Sequence, residues 1–231
     1  MSFSQADILW EDNHVLAVNK HAGQLVQADT TGDLALEDEV KAFLKQRDSK
    51  PGNVFLGVTH RIDRPVSGVV LFAKTSKALA RINEMFKAGT IKKTYWAIVK
   101  DRPAEDAALL EHYLVRDTKK NRTMALLKPR ADAKLAKLSY RIIAHSVNYF
   151  LLEIDLHTGR HHQIRAQLAK IGCPIKGDLK YGFPRSNPDG GICLHSREIK
   201  FEHPVKKELI SVVAPVPSDT LWNGFVKGVS G

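Results

Sequence analysis

"VTHRIDRPVSGVVLFAKT", residues 58–75, sets a single carboxylate just before an almost wholly apolar run. The run, residues 69–73, reads as a core strand, and Asp63 precedes it between Arg61 and Arg64. Pro65 fixes its own backbone and biases Arg64 toward an extended conformation, while Gly68 lets the chain turn into the strand. These residues predict a rigid loop at a sheet edge carrying Asp63. Such a carboxylate serves either as a nucleophile or base, or as the anchor of a turn or ion pair.

The flanking segments extend this strand into a sheet. "ILWEDNHVLAVNK", residues 8–20, reads as two short strands around a turn at Glu11, Asp12 and Asn13. "DLALEDEVKAFLKQ" follows as an amphipathic helix, capped by Asp33, with Leu36, Val40, Phe43 and Leu44 on one face. Residues 77–88 place Ala78, Leu79, Ile82, Met85 and Phe86 at helical spacing, with Ser76 as cap and Gly89 as stop. "KKTYWAIV", residues 92–99, alternates as a strand, with Tyr95, Ala97 and Val99 facing opposite to Trp96 and Ile98.

"EHYLVRDTKKNRTMALL" reads as a hairpin with Lys119, Lys120 and Arg122 at its basic turn. Strands at 136–144 and 149–156 come next, then a short helix in "GRHHQIRAQLAKIG" that buries Ile164, Leu168 and Ile171 and stops at Gly172. Strands at 192–195, 199–201 and 209–214 close the chain. The expected fold class is α+β, one domain over residues 1–231, with a large mixed, mostly antiparallel sheet flanked by helices.

Composition narrows the partner. The chain has 231 residues, 43% of them hydrophobic, enough for a packed core. Its formal charge of +10, from 35 Lys and Arg against 25 Asp and Glu, favours a polyanion, nucleic acid before acidic membrane. Cys173 and Cys193 make no disulfide framework and suit a reducing cytoplasm. The start, "MSFSQADILWEDN", has neither signal nor transit character, and no apolar stretch reaches membrane-spanning length. A soluble cytoplasmic protein is expected, with no membrane association and no protein partner implied.

Three constellations could carry chemistry. Beside Asp63 stands Tyr95, whose ring either packs in the core or offers a platform for a nucleobase lifted from its stack. Arg165 follows the buried Ile164 and either snorkels outward or turns inward to hold a carboxylate in a fork of hydrogen bonds. A close guanidinium would favour the ionised form that a nucleophilic Asp63 needs. A metal site among His157, His161, His162, Cys173, Cys193 and His195 is a separate possibility. His157 and His161 stand at i, i+4, but Gly159 lies between them, no Glu holds the adjacent position of H-E-x-x-H, and Cys173 and Cys193 belong to no C-x-x-C pair. No phosphate loop, dinucleotide fingerprint or G-x-S-x-G elbow occurs, so no metal and no cofactor is expected.

"HRIDRPVSGVVLFAKT" closely resembles the H-R-L-D-x-x-T-S-G-L signature of the RluA family of RNA pseudouridine synthases. "ILWEDNHVLAVNKHAG" is similar to that family's opening strand pair and "KKTYWAIV" to its tyrosine-bearing strand. "HTGRHHQIRAQL" with "GCPIKGDLKYG" resembles its third motif, and "ICLHSREIKFEHP" its closing element. The matches run in the family's order from about residue 8 to about residue 214. Ile62 and Val66 replace the commoner Leu and Thr, Gln167 stands where His is usual, and His161 where Thr or Ser is common.

The resemblance implies that Asp63 is the catalytic nucleophile, that Tyr95 packs on the target uracil and handles the C5 proton, and that Arg165 pairs with Asp63. It implies that Arg61 fills the space left by a flipped base. His60, Arg64, Arg160, Lys119, Lys120 and Arg122 complete the expected RNA-binding set. The partner would be a stem-loop of ribosomal or transfer RNA, met without the S4-type RNA-binding module of several relatives. A non-catalytic RNA-binding protein on the same scaffold and a metal-dependent hydrolase are the alternatives.

Overall fold

The computed structural model describes residues 3–29 and 32–229. The chain forms two compact units, Met1–Ile91 with Ser196–Pro215, and Lys92–His195 with Val216–Gly231.

The first unit begins with strands β1 (Ile8–Glu11) and β2 (Val15–Lys20), helix α1 (Leu36–Arg47), strands β3 (Gly57–Val58) and β4 (Ser67–Ala73), and helix α2 (Ser76–Ala88). The chain then builds β5 (Lys92–Val99), β6 (Ala107–Asp117), β7 (Arg122–Leu126), β8 (Lys134–His145), β9 (Phe150–Leu156) and helix α3 (Gln163–Lys170) in the second unit. Strands β10 (Leu194–Glu202) and β11 (Leu209–Val213) follow, and helix α4 (Thr220–Val229) ends the described chain.

In the first unit the strand order is β1-β2-β4-β10, with β11 on β10 and β3 on β4. Strand β2 runs antiparallel to β4, pairing Val18 with Val70 and Lys20 with Gly68. Because side chains alternate along a strand, Val15 and Ala17 of β2 and Val69, Leu71 and Ala73 of β4 share one face. They form a core with Ala78 and Ile82 of α2 and with Ile199, Phe201 and Val212. Full burial of a side chain the size of Ile82 contributes about 1.5–3 kcal/mol.

Both expected helices are present, with different caps. The Thr75 side chain accepts the Ala78 N–H at 3.2 Å, so Thr75 caps α2 and Ser76 is its first residue. Gly89, at φ 71°, closes α2 in the left-handed conformation as expected. Helix α1 starts after Ala35, and Asp33 instead accepts from Arg64 at 2.7 Å.

The second unit is an antiparallel run, β5-β9-β8-β6-β7. Three outcomes depart from the sequence reading, in β10, at the chain end and at the end of α3. Residues 194–202 form one continuous strand where two were expected, and helix α4 was not anticipated. Gly224 and Gly228 weaken its helical signal, yet Trp222 and Phe225 are buried. Ile171, expected in the core, is the half-exposed cap that ends α3.

Candidate active site

In the first unit Asp63 is half-buried on a turn that its own carbonyl closes by accepting the Val66 N–H at 3.0 Å. The loop is held from below by Lys20. This side chain is fully buried at the end of β2. Its Nζ donates to the carbonyls of His21 and Arg64, each at 3.0 Å, and of Val66 at 2.6 Å. Three acceptors match the three N–H donors of an ammonium. Burial pulls the Lys20 pKa down to about 7, against the opposing attraction of Asp63.

Arg64 adds a second tie, its Nε donating to the Gly23 carbonyl at 3.0 Å, while the Gly23 N–H donates to the Arg64 carbonyl at 2.8 Å. Gly68 lies at φ 114°, where a Cβ would stand 2.7 Å from the Ser196 nitrogen and nearer still to its carbonyl oxygen. The loop can therefore enter β4 only through a glycine. Arg61 is exposed. His60 has a role in the fold that the sequence did not suggest: its Nε2 accepts the Leu71 N–H at 3.0 Å, and its ring lies 4.9 Å from that of Phe86.

In the second unit Tyr95 is 6% exposed on β5, opposite Ile154 of β9. Lys93, two residues earlier, shares its face, and burial lowers the Lys93 pKa. A Cβ at Gly159 would lie 3.4 Å from Lys93 Nζ, so the ammonium sits against this glycine.

Arg165 turns inward rather than snorkelling and is 4% exposed. Its Nε donates to Asp178 Oδ2 at 2.7 Å and its Nη2 to Asp178 Oδ1 at 2.9 Å. The guanidinium carbon lies 5.0 Å from the centre of the Tyr181 ring, and that of Arg122 lies 5.1 Å from the same ring. The Tyr181 hydroxyl accepts the Thr123 N–H at 2.8 Å and lies 3.0 Å from His162 Nδ1. Burial, reinforced by Arg165, pushes the His162 pKa down to about 2. His162 is thus neutral, and its Nδ1 shares one hydrogen bond with the phenolic oxygen.

The remaining basic candidates lie on the surface. Lys119, Lys120 and Arg122 are exposed at the turn between β6 and β7, and Arg160 is exposed beside the Leu135 carbonyl. The histidines considered for a metal have other neighbours: His157 meets Ser139 at 3.0 Å, His161 meets Thr123 at 2.9 Å, and His195 lies near Trp222. Among the described residues no group of three or more His, Cys, Asp or Glu is arranged to hold a metal.

A family model described as RNA pseudouridylate synthase matches residues 14–170, more than half of the chain. This chain belongs to that family. RNA pseudouridylate synthases isomerise uridine to pseudouridine, and the match takes in Asp63, Tyr95 and Arg165.

Named relatives agree. A Bacillus subtilis protein called uncharacterized RNA pseudouridine synthase YlyB is 32% identical over 92% of this chain and 70% of its own length. Transfer-RNA pseudouridine synthase C of Vibrio cholerae is 30% identical over 95% of this chain and 94% of its own. Ribosomal large subunit pseudouridine synthase C of Vibrio parahaemolyticus is 30% identical over 91% and 66%. The fold matches human RNA Pseudouridylate Synthase Domain Containing 4, with a TM-score of 0.78 at 22% identity, covering 97% of this chain and 93% of that one.

Lys20, Lys93, Asp178 and Tyr181 went unassigned in the sequence. A lysine ending the apolar run "VLAVNK" was the available signal for the first. Asp178 and Tyr181 lie in "GDLKYG", whose likeness to the family's third motif carried no role by itself.

Proposed function

We propose that this pseudouridine synthase isomerises specific uridines within stem-loops of structured RNA, ribosomal or transfer RNA, with Asp63 as nucleophile. The observation that carries the reading is the family match over residues 14–170, a range that takes in the Asp63 loop, the Tyr95 strand and the Arg165 helix. Relatives named for large-subunit ribosomal RNA and for transfer RNA support both substrate classes. The match also crosses the boundary at Ile91, which supports treating the two units as one catalytic domain.

The target nucleotide is flipped out of its stack, at a cost of a few kcal/mol that phosphate contacts and base stacking offset. Asp63 attacks either C6 of the base or C1′ of the ribose, the bond from C1′ to N1 breaks, the uracil turns, C1′ bonds to C5, and the bond to Asp63 breaks to release the carboxylate. The C5 proton is then lost and N1 gains one, so the product is an isomer and no electrons are exchanged. Tyr95 lies against the uracil and is proposed to handle the C5 proton. Arg165 keeps the nucleophile ionised and oriented, and Arg61 occupies the place of the flipped base. Arg64, Arg160, Lys119, Lys120 and Arg122 hold phosphates.

Among the described residues no helix is long and apolar enough to cross a membrane, and Cys173 and Cys193 are free and buried. These features suit work in the cytoplasm, where such RNA resides. The test is a pseudouridine map of ribosomal and transfer RNA with and without this gene, repeated with purified protein and Asp63→Asn. Sites lost with the gene and restored by the wild-type protein, but not by Asp63→Asn, are expected. Binding without conversion by the wild-type protein would favour a non-catalytic RNA-binding protein.

A further inference from the structure

The basic hairpin and Arg165 are joined through one side chain. Tyr181 is 4% exposed and lies in a short 3-10 turn, Leu179–Tyr181, that begins directly after Asp178. Its N–H donates to the Asp178 carbonyl at 3.1 Å, so the residue that forks Arg165 also fixes the backbone of Tyr181. Its ring lies beneath the guanidiniums of both Arg165 and Arg122. Its hydroxyl accepts the backbone N–H of Thr123, one residue into β7 from Arg122.

The hairpin is tied down twice more, once by the same turn and once by His161. Lys180 Nζ donates to the carbonyl of Asn121 at 3.1 Å, at the bend where Asn121 takes φ 44°. His161, stacked on His162 with ring centres 3.7 Å apart, bonds the Thr123 hydroxyl at 2.9 Å. These contacts reach the hairpin next to Lys119 and Lys120, its exposed basic tip. A β-hairpin at a sheet edge is mobile unless its base is tied down. Here the tie is made on the aromatic ring that supports the catalytic-site arginine.

We propose that Tyr181 is a positioning residue that couples the RNA-holding hairpin to Arg165, so that phosphates seated on Lys119 and Lys120 order the guanidinium. This rests on the functional reading above. It adds a specificity consequence: an RNA that reaches the hairpin reacts faster once bound, because remote binding energy is used to orient the reacting site. An RNA too short to reach it binds without that gain.

Arginine Nε–H resonances of the full-length protein test the link without requiring turnover. The Arg165 signal is assigned by its loss in Arg165→Lys, and the probe is a short RNA stem-loop with a uridine-rich loop. In the wild-type protein the probe should shift the Arg165 signal. In Tyr181→Phe, which keeps the ring but removes the hydroxyl, the probe should bind within about threefold of wild type while the shift is lost. The single-turnover rate should fall about tenfold, the loss expected when a reacting group is held less well. Arg122→Ala, at an exposed position, should weaken the same response without emptying the core.

An Arg165 signal that responds equally in wild type and Tyr181→Phe, or not at all in wild type, overturns the coupling. If the wild-type protein forms no pseudouridine, the enzymatic reading fails, and the resonance shift still decides the link. If Tyr181→Phe does not fold, Arg122→Ala with an undiminished Arg165 response overturns it.

Discussion

Arg165 and Asp178 meet edge to edge in the interior, with two parallel N–H···O bonds of 2.7 and 2.9 Å between groups that are 4% and 1% exposed. A lysine ammonium cannot reproduce that fork. Arg165→Lys should therefore leave RNA affinity nearly unchanged and lower the single-turnover rate on the order of 100-fold, the effect of roughly 1 Å of misplacement. Weakened binding with an intact bound-state rate would make Arg165 a phosphate contact instead. Asp178→Asn leaves the guanidinium buried beside a neutral amide and should cost about 3–5 kcal/mol of stability in denaturant titrations.

Lys20→Met keeps the length of the side chain and removes its donors. Relief from burying a charge opposes the loss, but the carbonyls of Arg64 and Val66 are left without their ammonium, each at a cost of about 1–3 kcal/mol. The expected net change is a loss of about 2 kcal/mol, with faster hydrogen exchange at the Val66 and Gly23 amides. Unchanged exchange at those amides would show that Lys20 does not hold the Asp63 loop.

Gly68→Ala should be among the most damaging small substitutions in the chain. The added methyl meets the Ser196 backbone rather than a flexible side chain, and the φ of 114° is strained for alanine. A destabilisation of about 3 kcal/mol or more is expected. A melting temperature within a few degrees of wild type would contradict the close approach of β4 and β10.

The neutral state of His162 has a pH consequence. Unfolded histidine gains a proton near pH 6.5, whereas His162 resists it down to about 2 in the folded protein. Between those values the unfolded state holds the extra proton, so stability falls as pH falls, by at most about 1.4 kcal/mol per pH unit. His162→Asn, which tolerates the left-handed φ of 50°, should remove this slope. The stability gap between wild type and variant should therefore shrink on acidification from about pH 6 to about pH 4. A constant gap would mean that His162 is protonated in the fold.

The sequence by itself determined most of the elements and the identity of the chemistry, though not helix α4 or the unbroken β10. The unbroken apolar run "VVLFA" and the alternation in "KKTYWAIV" reflect only the local geometry of a strand, and the spacing of Ala78, Ile82 and Phe86 only the period of a helix. Both are local properties of backbone geometry, so β4, β5 and α2 were legible. The motif around Asp63 was legible too, because Pro65 and Gly68 restrict φ within the segment itself. Tertiary structure decided which polar groups would be partners. Lys20 meets Arg64 and Val66 across more than 40 residues, and Thr123 meets Tyr181 across 58. Such pairings follow from how strands and turns are brought together, a requirement imposed by burial: each polar group taken from water must find a bond inside. Spacing along the chain carries no record of that requirement. For this reason Arg165 stood out in the sequence as a candidate, while Asp178 and Tyr181, which hold it, emerged only from the fold.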